Sequence, residues 1–233
     1  MAIMDRKEKV FVVKNISHLK ENLMCLSKSK ENVILLDSNN KKNDYEFIFS
    51  YGKISELKSS DNSLEKLDNY INQVNDWIFG FISYDLKDEI EDFNSKNLKY
   101  FDVPNLSFFQ PSTIWIFDGV ILRALYFDEK ELLEDWSEIN KIHTRSDDNK
   151  NNLNVELKGR LSKEEYIKKI KNIKNRIKIG DTYELNFCFD FFNDNTKINP
   201  ENTFKKLNKL TESPMSVYSV SYTHLTLPTT DRV

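Results

Sequence analysis

The chain has 233 residues, 39% of them hydrophobic and 30% charged; its 16 Phe, 10 Tyr and 3 Trp beside only 5 Gly and 5 Pro exclude collagen-like, low-complexity and disordered classes. Lys plus Arg is 34 against 37 Asp plus Glu, a net charge of −3, which argues against a dedicated nucleic-acid binder. No apolar run approaches the ~20 residues of a membrane span, so no membrane partner is expected.

Residues 8–14 (KVFVVKN) are apolar and β-branched and predict a strand. Ser17 is placed to cap a helix over 18–28, with Leu19, Leu23, Met24 and Leu26 on its buried side. Residues 32–37 (NVILLD) predict a second strand, 38–43 a polar loop, and the alternating run 45–51 (YEFIFSY) a third strand turned by Gly52. Leu64, Leu67, Tyr70, Ile71 and Val74 recur at helical spacing over 63–75. The apolar run 77–84 carries Gly80 at its middle, the mark of a bulge or of another backbone close by.

Residues 112–126 predict a hairpin about Asp118-Gly119, a dipeptide suited to a type I′ turn. A helix over 129–140 follows. Residues 143–152 (HTRSDDNKNN) have no apolar side chain and predict a linker, the one internal boundary. Ser162 and Glu165 form a capping box at the start of a long helix. Tyr166, Ile170, Ile173 and Ile177 make one buried stripe on it, and Gly180 stops it. Residues 182–192 (TYELNFCFDFF) alternate like a strand, and Pro200 opens a helix to about Leu210. Helices and strands without strict β-α-β alternation predict an α+β fold, mainly antiparallel sheet with packed helices.

Chemistry is sparse. His18, His143 and His224 are isolated, and Cys188 reads as a core thiol rather than a nucleophile. Five dispersed glycines cannot build a phosphate loop. Asp85, Asp88, Glu89, Glu91 and Asp92 read as a solvated face before they read as a metal site, and so does the basic helix over 162–179 before a phosphate-binding face. Cys25 and Cys188 lie too far apart to make a metal-spacing pair, and the opening MAIMDRKEKV has no apolar stretch of signal-peptide length; a cytoplasmic chain with free thiols is expected.

The last fourteen residues differ in composition. All 54 Lys and Asn fall in the first 219 residues. Val220–Thr229 (VSYTHLTLPT) reads as the translation of a transposase adapter used to prepare sequencing libraries. The expectation is a biological sequence that departs near Ser219, with 220–233 a non-native tail; an ordinary polar tail is the alternative.

Ser162–Cys188 (SKEEYIKKIKNIKNRIKIGDTYELNFC) resembles the segment that opens the catalytic domain of chorismate-utilising enzymes, among them anthranilate synthase component I and aminodeoxychorismate synthase component I. The matching positions are Ser162, Tyr166, Gly180, Asp181, Tyr183, Glu184 and Asn186. Leu35-Leu36-Asp37-Ser38 resembles the family's Leu-Leu-Glu-Ser, and Phe79–Asp85 its Gly-x-x-Gly-Tyr-x-x-Tyr-Asp strand. Ser213-Pro214-Met215 resembles the Asn-Pro-Ser-Pro-Tyr/Met segment, with Glu212 in place of a proline. Tyr183-Glu184-Leu185-Asn186 is closer to the aminodeoxychorismate synthases than to the anthranilate synthases, which more often show Phe-Gln-x-Val.

The resemblance implies the amino-terminal half of the anthranilate synthase component I-like fold. It divides the chain into an amino-terminal region at 1–150, the start of a chorismate-binding catalytic domain at 151–219, and the tail at 220–233. It implies a parent enzyme that takes chorismate, with ammonia from a glutamine amidotransferase subunit, to 4-amino-4-deoxychorismate, the precursor of the 4-aminobenzoate of folate. Magnesium in the parent binds the substrate carboxylate. The Pro-x-Lys-Gly-Thr motif and the magnesium-binding glutamates of the family have no match here, so no catalytic residue and no metal ligand is assigned and the chain alone is expected to be inactive. Leu36, Asp37, Ser38, Pro214 and Met215 match positions that hold tryptophan in relatives; a tryptophan pocket and a ligand-free strand end both stay open. Two alternative functions also stay open: a piece of anthranilate synthase component I, and a non-catalytic ligand-binding module.

Overall fold

The computed structural model describes residues 5–13, 18–41, 44–91, 102–141, 156–194 and 196–221. They fold into two compact units: one takes the chain up to Lys141 and resumes at Phe204, and the other lies between them. Among the described residues every strand pairing is antiparallel and helices pack on the sheet, so the fold is α+β.

The first unit opens with β1 (Lys7–Phe11), α1 (Leu19–Cys25), β2 (Val33–Asp37) and β3 (Phe47–Tyr51). It continues with β4 (Ser55–Ser59), α2 (Ser63–Val74), β5 (Phe79–Ile82) and the short α3 (Lys87–Ile90). Then come β6 (Leu106–Gln110), β7 (Thr113–Phe117), β8 (Leu122–Tyr126) and α4 (Glu129–Lys141). The second unit carries β9 (Lys158–Gly159), α5 (Lys163–Lys178) and β10 (Phe191–Phe192). The last elements are α6 (Pro200–Thr211) and β11 (Ser216–Val220).

Six strands form one sheet in the order β1-β8-β7-β3-β2-β11, and three form another in the order β4-β6-β5. The period of two along each strand sorts side chains between two cores. Val33, Leu35, Phe47, Phe49, Tyr51, Trp115, Phe117, Leu122, Ala124 and Tyr218 face Leu19, Leu23 and Met24 of α1 and Leu132 and Ile139 of α4. Ile34, Leu36, Ile48, Ile114, Ile116 and Leu125 face the smaller sheet through Phe79 and Phe109. The central sheet is therefore buried on both faces, and each large apolar side chain so covered contributes roughly 1.5–3 kcal/mol.

Gly80 marks a close approach: a Cβ there would lie 2.0 Å from the Ser107 carbonyl oxygen of β6. The capping box is formed, with Ser162 Oγ accepting from Glu165 N–H and the Glu165 carboxylate accepting from Ser162 N–H. Gly180 takes φ +83° beyond α5, and the bonds Gly180 N–H to Ile177 O and Asp181 N–H to Arg176 O complete a Schellman stop.

Four expectations change. The hairpin of β7 and β8 pairs Phe117 with Leu122, so its loop holds four residues instead of two. Asp118 does not take a positive φ; its carboxylate accepts from Val120 and Ile121 N–H, and only Gly119 is left-handed. The strand expected over 182–192 is reduced to Phe191–Phe192, because its described neighbour β9 offers two residues to pair with. The stripe on α5 is not buried: Ile170 and Ile173 are half-buried, and Tyr166 and Ile177 are exposed. Cys188 is exposed instead of in the core, on the opposite parity from the clustered rings of Phe187, Phe189 and Phe191. Ser17, the linker at 143–152, His143 and His224 lie outside the described residues.

Candidate functional site

The end of β2 gathers a polar cluster from α1, α6 and the loop that follows the strand. Position 37 continues the parity of Val33 and Leu35, so Asp37 lies on the helix-covered face, and its side chain is fully buried. In the sheet it sits between Phe47 of β3 and Ser216 of β11. Lys20 of α1 brings its Nζ 2.9 Å from both carboxylate oxygens. Asn39 N–H donates to Oδ1 at 3.0 Å, and Asn208 Nδ2 of α6 donates to Oδ2 at 2.9 Å. Asn39 reaches this position in the left-handed region at φ +50°, which Asn tolerates better than most residues. Its amide nitrogen lies 2.7 Å from both Asn208 Oδ1 and Ser213 O, and 3.2 Å from Ser216 Oγ.

Burial pushes the Glu46 carboxyl above its ordinary value; the Lys20 charge opposes this and the Asp37 charge adds to it. The Glu46 carbonyl accepts from Ser38 N–H at 2.9 Å. Ser38 is buried, and its Oγ meets no hydrogen-bond partner among the described residues.

Of the residues singled out in the sequence, Asp37 and Ser38 are buried at this strand end, and Leu36 is half-buried and packs in the core shared with the smaller sheet. Pro214 and Met215 are exposed, Met215 at 81%. Their segment is tied to the site through Ser213 O and Ser216 instead. Sequence reasoning missed Lys20, Asn39, Glu46 and Asn208. Lys20 is one of many lysines, and only its place beside the apolar Leu19 and Leu23 stripe marked it as facing the sheet.

In the first turn of α5, Tyr166 packs against Phe187 and Phe189 with ring centroids 5.6 and 5.3 Å apart. Tyr183, Glu184 and Asn186 are exposed. A third cluster is structural. Tyr51 donates its hydroxyl to the buried Asp135, and Lys30 Nζ bridges Glu131 and Asp135 at 2.8 and 2.9 Å. Burial and then the Asp135 charge push the Tyr51 hydroxyl well above its ordinary value, so it stays a donor.

Glu89, from the acidic stretch, accepts from Ser63 N–H, Ser63 Oγ and Asn105 Nδ2, all at 2.6 Å, and so holds the start of α2. Among the described residues no three His, Cys, Asp or Glu side chains are grouped to hold a metal ion. No helix among them is long and apolar enough to cross a membrane. No curated protein matches the chain. The model of the chorismate binding enzyme family matches residues 20–224, well over half of the chain.

Proposed function

The chain belongs to the chorismate-binding enzyme family, and from that premise we propose that it is part of an aminodeoxychorismate synthase component I acting in the cytoplasm. Ammonia adds to the chorismate ring and the 4-hydroxyl leaves as water, giving 4-amino-4-deoxychorismate. A glutamine amidotransferase subunit supplies the ammonia. Magnesium would bind the substrate carboxylate in this chemistry; among the described residues no three His, Cys, Asp or Glu side chains are grouped to hold it.

The observation that carries the reading is the turn Gly180-Asp181-Thr182-Tyr183-Glu184-Leu185-Asn186 that ends α5. Its glycine is in the left-handed conformation such a turn needs, and its Tyr-Glu-Leu-Asn resembles the aminodeoxychorismate synthases more closely than the Phe-Gln-x-Val of the anthranilate synthases. The test is to express the open reading frame that native DNA encodes across codon 219 and incubate it with chorismate, magnesium and ammonium. Mass spectrometry is expected to find 4-amino-4-deoxychorismate and no anthranilate. The 233-residue chain under the same conditions is expected to convert none. Anthranilate as the product, or unconverted chorismate from the native frame, overturns the reading.

A further inference from the structure

We propose that the run 184–192 is a pairing edge for a second copy of this chain, joined antiparallel about a two-fold axis at Cys188. The inference uses the second unit alone and does not depend on the chorismate chemistry. Along the run, Leu185, Phe187, Phe189 and Phe191 alternate with Glu184, Asn186, Cys188 and Asp190. No residue in 181–192 takes a positive φ. Tyr166 of α5 packs on Phe187 and Phe189, and Phe189 meets Phe191 with ring centroids 5.0 Å apart. The run has the two-sided pattern of a strand lying on a helix. Yet among the described residues no backbone N–H at 183–189 donates to a backbone carbonyl.

Which edge is open follows from β9. Asp190 O accepts from Arg160 N–H at 3.0 Å, and Phe192 pairs with Lys158. Asp190 and Phe192 therefore turn their backbone groups toward β9. Alternation turns those of Leu185, Phe187, Phe189 and Phe191 the other way, and no described strand lies there. The edge strands β1 and β4 carry Lys7, Glu8 and Lys9, and Glu56 and Lys58. Such charges keep an edge from pairing; the run 184–192 has no lysine.

The occupant follows from self-complementarity. With the axis at Cys188, Leu185 faces Phe191 and Phe187 faces Phe189, each twice. Leu185 and Phe191 are exposed in the single chain, and pairing covers both. Asn186 faces Asp190. Glu184 faces Phe192, whose ring carries the Arg160 guanidinium 3.7 Å from its centroid, so opposite charges approach. An axis at Phe187 instead sets Glu184 against Asp190, a like-charged pair that opposes association. An axis at Phe189 sets Leu185 against Asn193, and one at Asn186 sets Phe191 against Asp181. The pairing is the same patch on both copies, so it closes as a dimer and does not grow. Cys188 then faces its own copy in a non-hydrogen-bonded pair, with Cα atoms about 4.5 Å apart, a separation a disulfide spans.

Sedimentation velocity of the 233-residue chain is expected to show a monomer–dimer equilibrium, with the dimer dominant at roughly 50 μM. Asn186 is exposed, and circular dichroism is expected to find its variants folded. Asn186→Asp sets a like charge against Asp190 twice and is expected to weaken the dimer at least about threefold; Asn186→Lys is expected to tighten it by a similar factor. Under copper phenanthroline and air, two Cys188 thiols are oxidised to one disulfide, oxygen taking their two electrons and two protons. Peptide mapping is expected to find that bond between two Cys188 residues, and Cys188→Ser is expected to remain a dimer without it. If an Asn186 variant does not fold, the mapped bond reads the same register. A monomer at every concentration, open-ended aggregates, a dimer that the two Asn186 variants do not shift in opposite directions, or no bond through Cys188 each overturns the proposal. None of these outcomes bears on whether the native frame makes 4-amino-4-deoxychorismate.

Discussion

Asp76 draws three distant segments together. Arg6 donates its Nε 2.8 Å from both Asp76 oxygens, and its Nη1 and Nη2 reach the carbonyls of Ser112 and Pro111 at 3.2 and 2.6 Å. Gln110 Nε2 donates to Asp76 at 2.8 Å. Burial alone would push this carboxyl up, but the donors from Arg6, Gln110 and Trp77 N–H outweigh it and hold it below its ordinary value of 3.8. A depressed carboxyl contributes stability that is present above its unfolded value and lost as pH falls through the folded one. Asp76→Asn is therefore expected to cost about 1–3 kcal/mol at pH 7, measured by urea unfolding, with the difference from wild type shrinking as pH falls below 3.8. None of this was visible in the sequence. Arg6 and Asp76 are 70 positions apart, and Asp76 and Gln110 are 34 apart. Pairing of that kind leaves no periodic trace, and neither does the pairing of Lys20 with Asp37.

At the scale of elements, Gly80 shows what sequence pattern reads well. A glycine inside an apolar run implied a neighbouring backbone, and β6 is that neighbour. Gly80→Ala is expected to cost about 2–3 kcal/mol in urea unfolding, because the contact at 2.0 Å is with a backbone carbonyl that cannot turn aside. The strands β2, β3 and β7 were legible because VILLD, FIFSY and TIWIF are nearly unbroken apolar runs, as burial between two cores requires. β4 was not: SELKS is polar, and among its residues only Ser59 is buried. The run at 182–192 had the right alternation and still did not form a full strand, because a strand also needs a partner of its own length. Glu212 replaces a proline of the family pattern and stands at φ +43° after α6. Proline, locked near −65°, cannot take that conformation. The substitution and the turn therefore go together.

For the whole molecule, burial is unevenly shared. The strands β2, β3 and β7 lie within the central sheet and carry most of its fully buried side chains, whereas α5 has no buried residue. Hydrogen exchange is expected to divide accordingly. Backbone amides of Leu35, Phe49 and Trp115 should be protected at least a hundredfold more than those in the middle of α5, and equal protection would contradict this division. The α+β class was legible from the mixture of periods. The return of β11 to pair with β2 was not legible, since a five-residue strand gives no hint of its partner.

That return has a consequence in time. The edge of β2 is completed by Ser216–Val220, and between the two pieces of the first unit the ribosome must deliver Ser146–Thr203. At 5–20 residues per second that interval of about 60 residues lasts roughly 3–12 s. Throughout it, the backbone edge beside Val33 and Leu35 is without its final strand, and Asp37 is without Asn208. A nascent chain of this protein therefore passes through a waiting stage set by synthesis, in which Lys20 is, among the described residues, the side-chain partner of Asp37 already made.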